Sequence, residues 1–206
     1  MPSSAPGPAP PPAVAGAVLQ RAFYRRDPRL VAVDLLGKVL VAGGRSGRIV
    51  ETEAYLGAID AAAHSYRRRS TRNATMFGPP GHLYVYFTYG MHWCCNPVCG
   101  EEDEPVAVLI RALAPLTGLD EMRERRPRVL RDRDLCNGPA KLCRALGIDG
   151  VHDGADLTLA ASGVTIVDDG TPPPGDPVVT TRIGISQAVD EPWRWYVRGD
   201  PHVSRR

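Results

Sequence analysis

Apolar Leu30, Val31, Leu35 and Leu36 fall at helical spacing behind Asp27-Pro28, a cap residue followed by a proline suited to the first turn, and Gly37 closes the segment. The pattern then shortens. Residues 38–42 and 48–55 are rich in Val, Leu and Ile and flank Gly43-Gly44-Arg45-Ser46-Gly47, which predicts a β-hairpin. Residues 58–80 form a mixed segment with short helical turns, ended by the rigid loop Gly78-Pro79-Pro80-Gly81. Strands resume at 82–87 and 91–98 around Thr88-Tyr89-Gly90, and another runs over 105–113 after the acidic turn 101–104. Thr117 is expected to cap a charged helix toward Arg126, and Pro139 to open a second that ends at Gly147. Strand-like runs at 157–160, 164–167, 178–185 and 193–197 complete the chain. Hairpin-linked strands outnumber helices and no Gly-rich strand-to-helix turn appears. The pattern therefore predicts a single α+β domain built on a mostly antiparallel sheet with peripheral helices.

Composition narrows the class. The chain has 206 residues, 43% of them hydrophobic and 23% charged, enough for one domain with a real core. Residues 1–16 hold six prolines among Ala, Ser and Gly and are expected to stay extended, leaving 17–206 as the domain. No apolar run approaches the roughly 20 residues of a membrane span, and the N-terminus lacks a secretory layout. A soluble, cytoplasmic chain is the expectation. Five cysteines, without the paired spacing of a zinc site, are expected to pack as small apolar residues.

The net charge of +2 announces no partner by itself, but its distribution is uneven. Residues 1–72 carry eleven Lys and Arg against five Asp and Glu, with Arg67, Arg68, Arg69 and Arg72 in one short segment suited either to phosphates or to a solvated loop.

Candidate chemistry gathers in three places. On a strand, Glu51, Glu53 and Tyr55 share one face; they form either a solvent-facing sheet edge or a pair of working carboxylates. Tyr84 and Tyr86 likewise share a face, as an ordinary amphipathic strand or a stacking platform for a planar ring. Tyr89 occupies a hairpin tip with little core to fill. Arg111 ends the apolar run 106–110, where a buried charge needs a counterion, and pairing with Glu53 would hold that acid ionised. His64 and Asn96 are unremarkable alone.

Taken together, residues 51–57 (ETEAYLG), 63–65 (AHS), Arg72-Asn73, Met76-Phe77, 83–86 (LYVY), 89–91 (YGM), 109–115 (LIRALAP), 137–142 (NGPAKL) and 192–199 (PWRWYVRG) resemble the alkyladenine (methylpurine, or 3-methyladenine) DNA glycosylase family, over about residues 29–204. The resemblance implies a single mixed domain around a curved antiparallel sheet. It also implies base-excision repair: hydrolysis of the N-glycosidic bond of alkylated or deaminated purines (3-methyladenine, 7-methylguanine, hypoxanthine or ethenoadenine) flipped out of duplex DNA. By the same resemblance Glu53 activates water, helped by Arg111 and the main-chain carbonyl of Ile183. Tyr55, His64 and Tyr86 hold the extruded base, Asn96 opposes the 2-amino group of guanine, and Tyr89 wedges into the minor groove. No metal or organic cofactor is implied, and a monomer on double-stranded DNA is expected.

Flipping costs a few kcal/mol, least for damaged nucleotides, and a wedge and an aromatic pocket offset that cost. Lys38 and Lys141 are the only lysines, so a Schiff-base strand-nicking activity is not expected. Two other classes remain open at this point: a non-catalytic nucleic-acid-binding module using the same aromatic residues, and a hydrolase acting on free nucleosides or sugars through Glu51 and Glu53.

Overall fold

A computed structural model describes residues 14–66 and 68–204. The extended tail expected over 1–16 falls almost wholly outside the described residues, as does Arg67.

Ten strands are present among the described residues: β1 (Ala17–Val18), β2 (Val39–Ala42), β3 (Arg45–Tyr55), β4 (His82–Thr88), β5 (His92–Cys99), β6 (Val106–Thr117), β7 (Ala155–Asp156), β8 (Val164–Asp168), β9 (Val178–Thr180) and β10 (Arg194–Tyr196). Their order is β1-β8-β2-β3-β6-β5-β4-β7, with β10 on β3 and β9 on β10, and every pairing is antiparallel. The sheet curls into a half-barrel, the architecture of a single α+β domain.

Among the described residues four short α-helices cover it: α1 (Arg21–Tyr24), α2 (Pro28–Asp34), α3 (Leu119–Arg125) and α4 (Pro139–Leu146). Helix α2 starts as its sequence dictates, with the Asp27 carboxylate accepting from the Arg29 amide and Pro28 in the first turn. Its Val31 and Ala32 and the following Leu35 and Leu36 join Leu40, Ile49, Ala54, Ile110 and Leu113 in the core. The Thr52 hydroxyl locks the helix to β3 by donating to the Ala32 carbonyl at 2.8 Å. On another side Leu142, Cys143, Ala145 and Leu146 of α4 are buried in the same cluster. Gly147, at φ +72°, ends that helix in the left-handed conformation glycine tolerates best.

Two features of the sheet create the site. Strand β3 has β6 along one edge, while its other edge is shared by β2, which pairs with Arg45–Arg48, and β10, which pairs with Glu51–Glu53. Glu51 and Glu53 therefore lie in the middle of the sheet and are fully buried. This removes the solvent-facing edge as an account of the paired acids. Register shifts against β6 flank Glu51, so the ladder is irregular where the charged side chains converge. Second, β5 pairs with β6 only at Val98–Ala107 and Cys99–Val106, yet follows β4 from Leu83 to Thr88. Beyond those two rungs the strands part, and the fork is a cleft.

Some elements differ from the sequence expectation for local reasons. The 178–185 strand stops at Thr180, and residues 181–188 form a loop. The 157–160 segment is not a strand; β7 precedes it and a 3-10 turn follows at Ala160–Ser162. Gly118, not Thr117, stands at the N-cap of α3, because the Thr117 hydroxyl is taken by Ser46 at 2.8 Å. Strand β1 and helix α1 carry no pattern long enough to detect.

Candidate active site

The cleft between β5 and β6 opens into a cavity of about 410 Å³. Strand alternation supplies its walls: Tyr55 from β3, Tyr84 and Tyr86 from β4, Cys94 and Asn96 from β5, and Leu109 and Arg111 from β6. His64 closes one side and the loop 183–187 the other, while Tyr89 reaches the mouth. Every side chain expected at the site except Glu53 lines this one cavity. Glu53 sits one layer behind, in contact with three of the lining residues.

Three groups from those residues hold its carboxylate. Oε1 accepts from the Ile183 amide at 2.8 Å and lies 3.1 Å from Arg111 Nη1, and Oε2 accepts from the Tyr55 hydroxyl at 3.0 Å. Burial raises the Glu53 pKa, while Arg111, the Ile183 amide and Tyr55 pull it back and Glu51 adds to the rise. The net direction is upward, so Arg111 tempers desolvation without overcoming it. Burial works against the Arg111 charge too, and Glu53 and Glu51 more than restore it. Ile183, expected to act through its carbonyl, is seen here donating its N–H to the acid.

Glu51 does different work. It lies outside the cavity wall and accepts from Arg111 Nε (3.0 Å), Arg194 Nε (2.7 Å), and the backbone amide (2.7 Å) and hydroxyl (2.9 Å) of Ser204. Arg111 thus bridges the two acids.

The aromatic side is compact. Tyr84 and Tyr86 stack at 5.4 Å and 24°, and His64 stands edge-on to Tyr86 at 4.4 Å. The Tyr84 hydroxyl meets His64 Nδ1 at 3.4 Å. Partial burial, with Arg72 nearby, lowers the His64 pKa, so its imidazole is neutral at neutral pH. Tyr84 is almost wholly buried, its hydroxyl pushed up to about 12 chiefly by burial. Asn96 stands opposite Tyr84 in the ladder and its Nδ2 donates to the Tyr84 carbonyl at 3.1 Å, a geometry that Pro97 leaves intact. At the hairpin tip Tyr89 is 81% exposed, with φ at +50°.

Sequence reasoning missed several members. Cys94 was expected only to pack; it lines the cavity, and burial lifts its thiol to about 11. Arg182 and Asp60 form a fully buried pair at 2.5 and 2.8 Å, with the Arg182 guanidinium 4.7 Å from the Tyr55 ring centroid and 4.9 Å from that of Trp193. This pair fixes both Tyr55 and the loop that presents Ile183. An arginine directly before Ile183 and another between two tryptophans were the available signals; nothing marked Asp60 or Ser204. Of the expected arginine cluster, Arg68 and Arg69 are exposed and Arg72 donates to the Phe87 carbonyl of the hairpin.

Comparison with known proteins identifies the family. The profile of the family described as Methylpurine-DNA glycosylase (MPG) matches residues 22–201. A protein of Burkholderia lata, named "Putative 3-methyladenine DNA glycosylase", is 62% identical over 190 residues, covering 92% of each chain. Proteins of the same name from Koribacter versatilis (47% over 198 residues, 91% of this chain and 93% of the relative) and Rhodopseudomonas palustris strain HaA2 (46% over 199 residues, 95% and 94%) are similar along nearly their whole length. A match that runs from α1 past β10 takes in every wall of the cavity, and the chain belongs to the methylpurine-DNA glycosylase family.

Proposed function

We propose that residues 17–206 form one DNA glycosylase domain acting in base-excision repair, which releases alkylated or deaminated purines from duplex DNA by hydrolysis of the N-glycosidic bond. The observation that carries this reading is a fully buried carboxylate set directly behind the floor of a tyrosine- and histidine-walled cavity, in a chain of this family.

The chemistry follows from the groups present. An extruded purine fits among Tyr55, His64 and Tyr86, where aromatic faces favour a cationic alkylated ring. A neutral His64 can hydrogen-bond its edge without repelling that charge. Asn96, with one Nδ2 N–H committed to the strand, lines the cavity in the place where the 2-amino group of guanine would crowd it. Tyr89 fills the gap in the duplex. Water attacks C1′ as the bond to the purine nitrogen breaks; the bonding electrons leave with the base, and the water proton passes to Glu53. Oε2 has a second lone pair beside the Tyr55 hydroxyl for that water. The same carboxylate stabilises positive charge developing on the sugar.

Neither lysine is among the residues that line the cavity. Lys38 is paired with Asp168 at 2.6 Å beside β2, and the Lys141 amine donates to Asn137 at 2.7 Å. The reading is therefore a monofunctional hydrolase.

The test is single-turnover release of 3-methyladenine from alkylated duplex DNA by wild type and Glu53→Gln, with chelator present. Loss of a general base costs about a hundredfold or more while DNA binding persists. Equal rates for the two proteins, or a borohydride-trapped protein–DNA adduct, would overturn the respective part of the reading. Binding without release by either protein would leave a nucleic-acid-binding module.

A further inference from the structure

Glu51 has no part in the scheme above, yet it is as deeply buried as Glu53 and better bonded. A buried carboxylate holding two arginines and the end of the described chain is a costly arrangement unless it is compensated throughout. Here it is. Among the described residues the two acids meet two arginines, Arg111 and Arg194, and Arg111 touches both acids.

We infer that Glu51 is a positioning residue: with Arg194 and Ser204 it clamps Arg111 against Glu53 and sets the charge that the proposed general base feels. The inference rests on the glycosylase reading and deepens it.

Glu53 is surrounded by Glu51 and Tyr55 on its own strand, Arg111 on β6, Cys94 on β5, Arg194 paired opposite it on β10, and Arg182 with Asp60 behind the 181–188 loop. Arg182 and Asp60 neutralise each other, and the tyrosine and thiol stay protonated in the working range. The balance of Glu51 against Arg194 is thus the adjustable part. Removing the Glu51 charge leaves excess positive charge beside Glu53 and favours its ionised form. Removing the Arg194 charge leaves Glu51 under-compensated and favours the protonated form.

The experiment is the pH dependence of single-turnover base release. In wild type the rate falls on the acid side as Glu53 takes up a proton. Glu51→Gln should move that acid limb to lower pH by roughly one to two units, the effect of one charge about 7 Å away through protein. Arg194→Gln should move it to higher pH, and Arg194→Lys should leave it in place. Ser204→Ala, at the edge of the cluster, removes one donor to Glu51 and an acceptor 3.4 Å from Arg111 Nη2; it should give a smaller upward shift and carries the test if the buried variants fail to fold. Folded variants that lose rate with an unmoved limb would overturn the inference and make the cluster purely structural. An acid limb and full rate that survive in Glu53→Gln would instead overturn the glycosylase assignment of Glu53.

Discussion

Replacing Arg182 by Met isolates one interaction on which both the fold and the site depend. Met keeps an apolar stem near the Tyr55 and Trp193 rings but removes the guanidinium, whose two hydrogen bonds to Asp60 are made with both side chains fully buried. An Asp60 left without its partner costs about 3–5 kcal/mol. Loss of the ring contacts adds about 0.5–2 kcal/mol for each ring. Against a total stability of about 5–15 kcal/mol, Arg182→Met is expected to leave the protein barely folded. Asp60→Asn strands the arginine instead and should cost a similar amount through the pair. The double variant holds no buried charge at this place, so its loss should fall about 2–4 kcal/mol short of the sum of the single losses. Urea unfolding of the four proteins measures this, with sucrose added to bring the weakest into range. Losses that add to within about 0.5 kcal/mol would refute the account of Arg182 and Asp60 as a coupled pair. Because Ile183 follows Arg182 and its amide holds Glu53, the same single variants should also slow base release.

Two further predictions concern the frame around the site. Gly57 has φ at +59°, and a Cβ there would lie 2.8 Å from the Pro105 carbonyl oxygen, so Gly57→Ala should cost about 2 kcal/mol or more in chemical denaturation. The Asp169 carboxylate accepts two bonds from Arg48, at 3.1 and 2.8 Å, which hold it well below the usual carboxylate range. A depressed folded pKa contributes stability above the unfolded value near 4 and loses it as pH falls further. Asp169→Asn should therefore cost about 1 kcal/mol at neutral pH and less at a pH of about 3; an equal loss at both would contradict the linkage.

Local pattern marked the residues that face the cavity far better than those that hold them. Alternation put Glu53 and Tyr55 on one face and Tyr84 and Tyr86 on another, and the structure brings those faces together. That Arg111 would meet Glu53 was legible because a charge ending an apolar strand needs a partner. What two-residue periodicity does not encode is which strand lies beside which. The burial of Glu51 depends on β10, which comes about 140 residues later in the chain. The same limit hid Asp60, whose partner lies 122 residues away. Residues 181–185, the first part of the 181–188 loop, read as strand because Ile183 and Ile185 alternate, although Gly184, at φ +77°, interrupts them. Residue type alone says that cysteines mostly pack in cores, and all five are buried here; it does not say that Cys94 also lines the cavity.

The tip of the β4–β5 hairpin has an evolutionary cost that can be measured. Tyr89 and Gly90 both lie at positive φ, in a turn closed by the Met91 amide on the Thr88 carbonyl. Glycine takes that conformation freely and asparagine tolerates it, whereas a tyrosine there is strained by about 1 kcal/mol and buries almost nothing in return. Tyr89→Asn should therefore make a more stable protein by thermal unfolding, while its hold on an extruded nucleotide, followed by 2-aminopurine fluorescence beside the lesion, weakens. Selection for stability alone would drive the tyrosine out of this turn. A variant library sorted first for thermal resistance and then for base release should recover opposite residues at this single position.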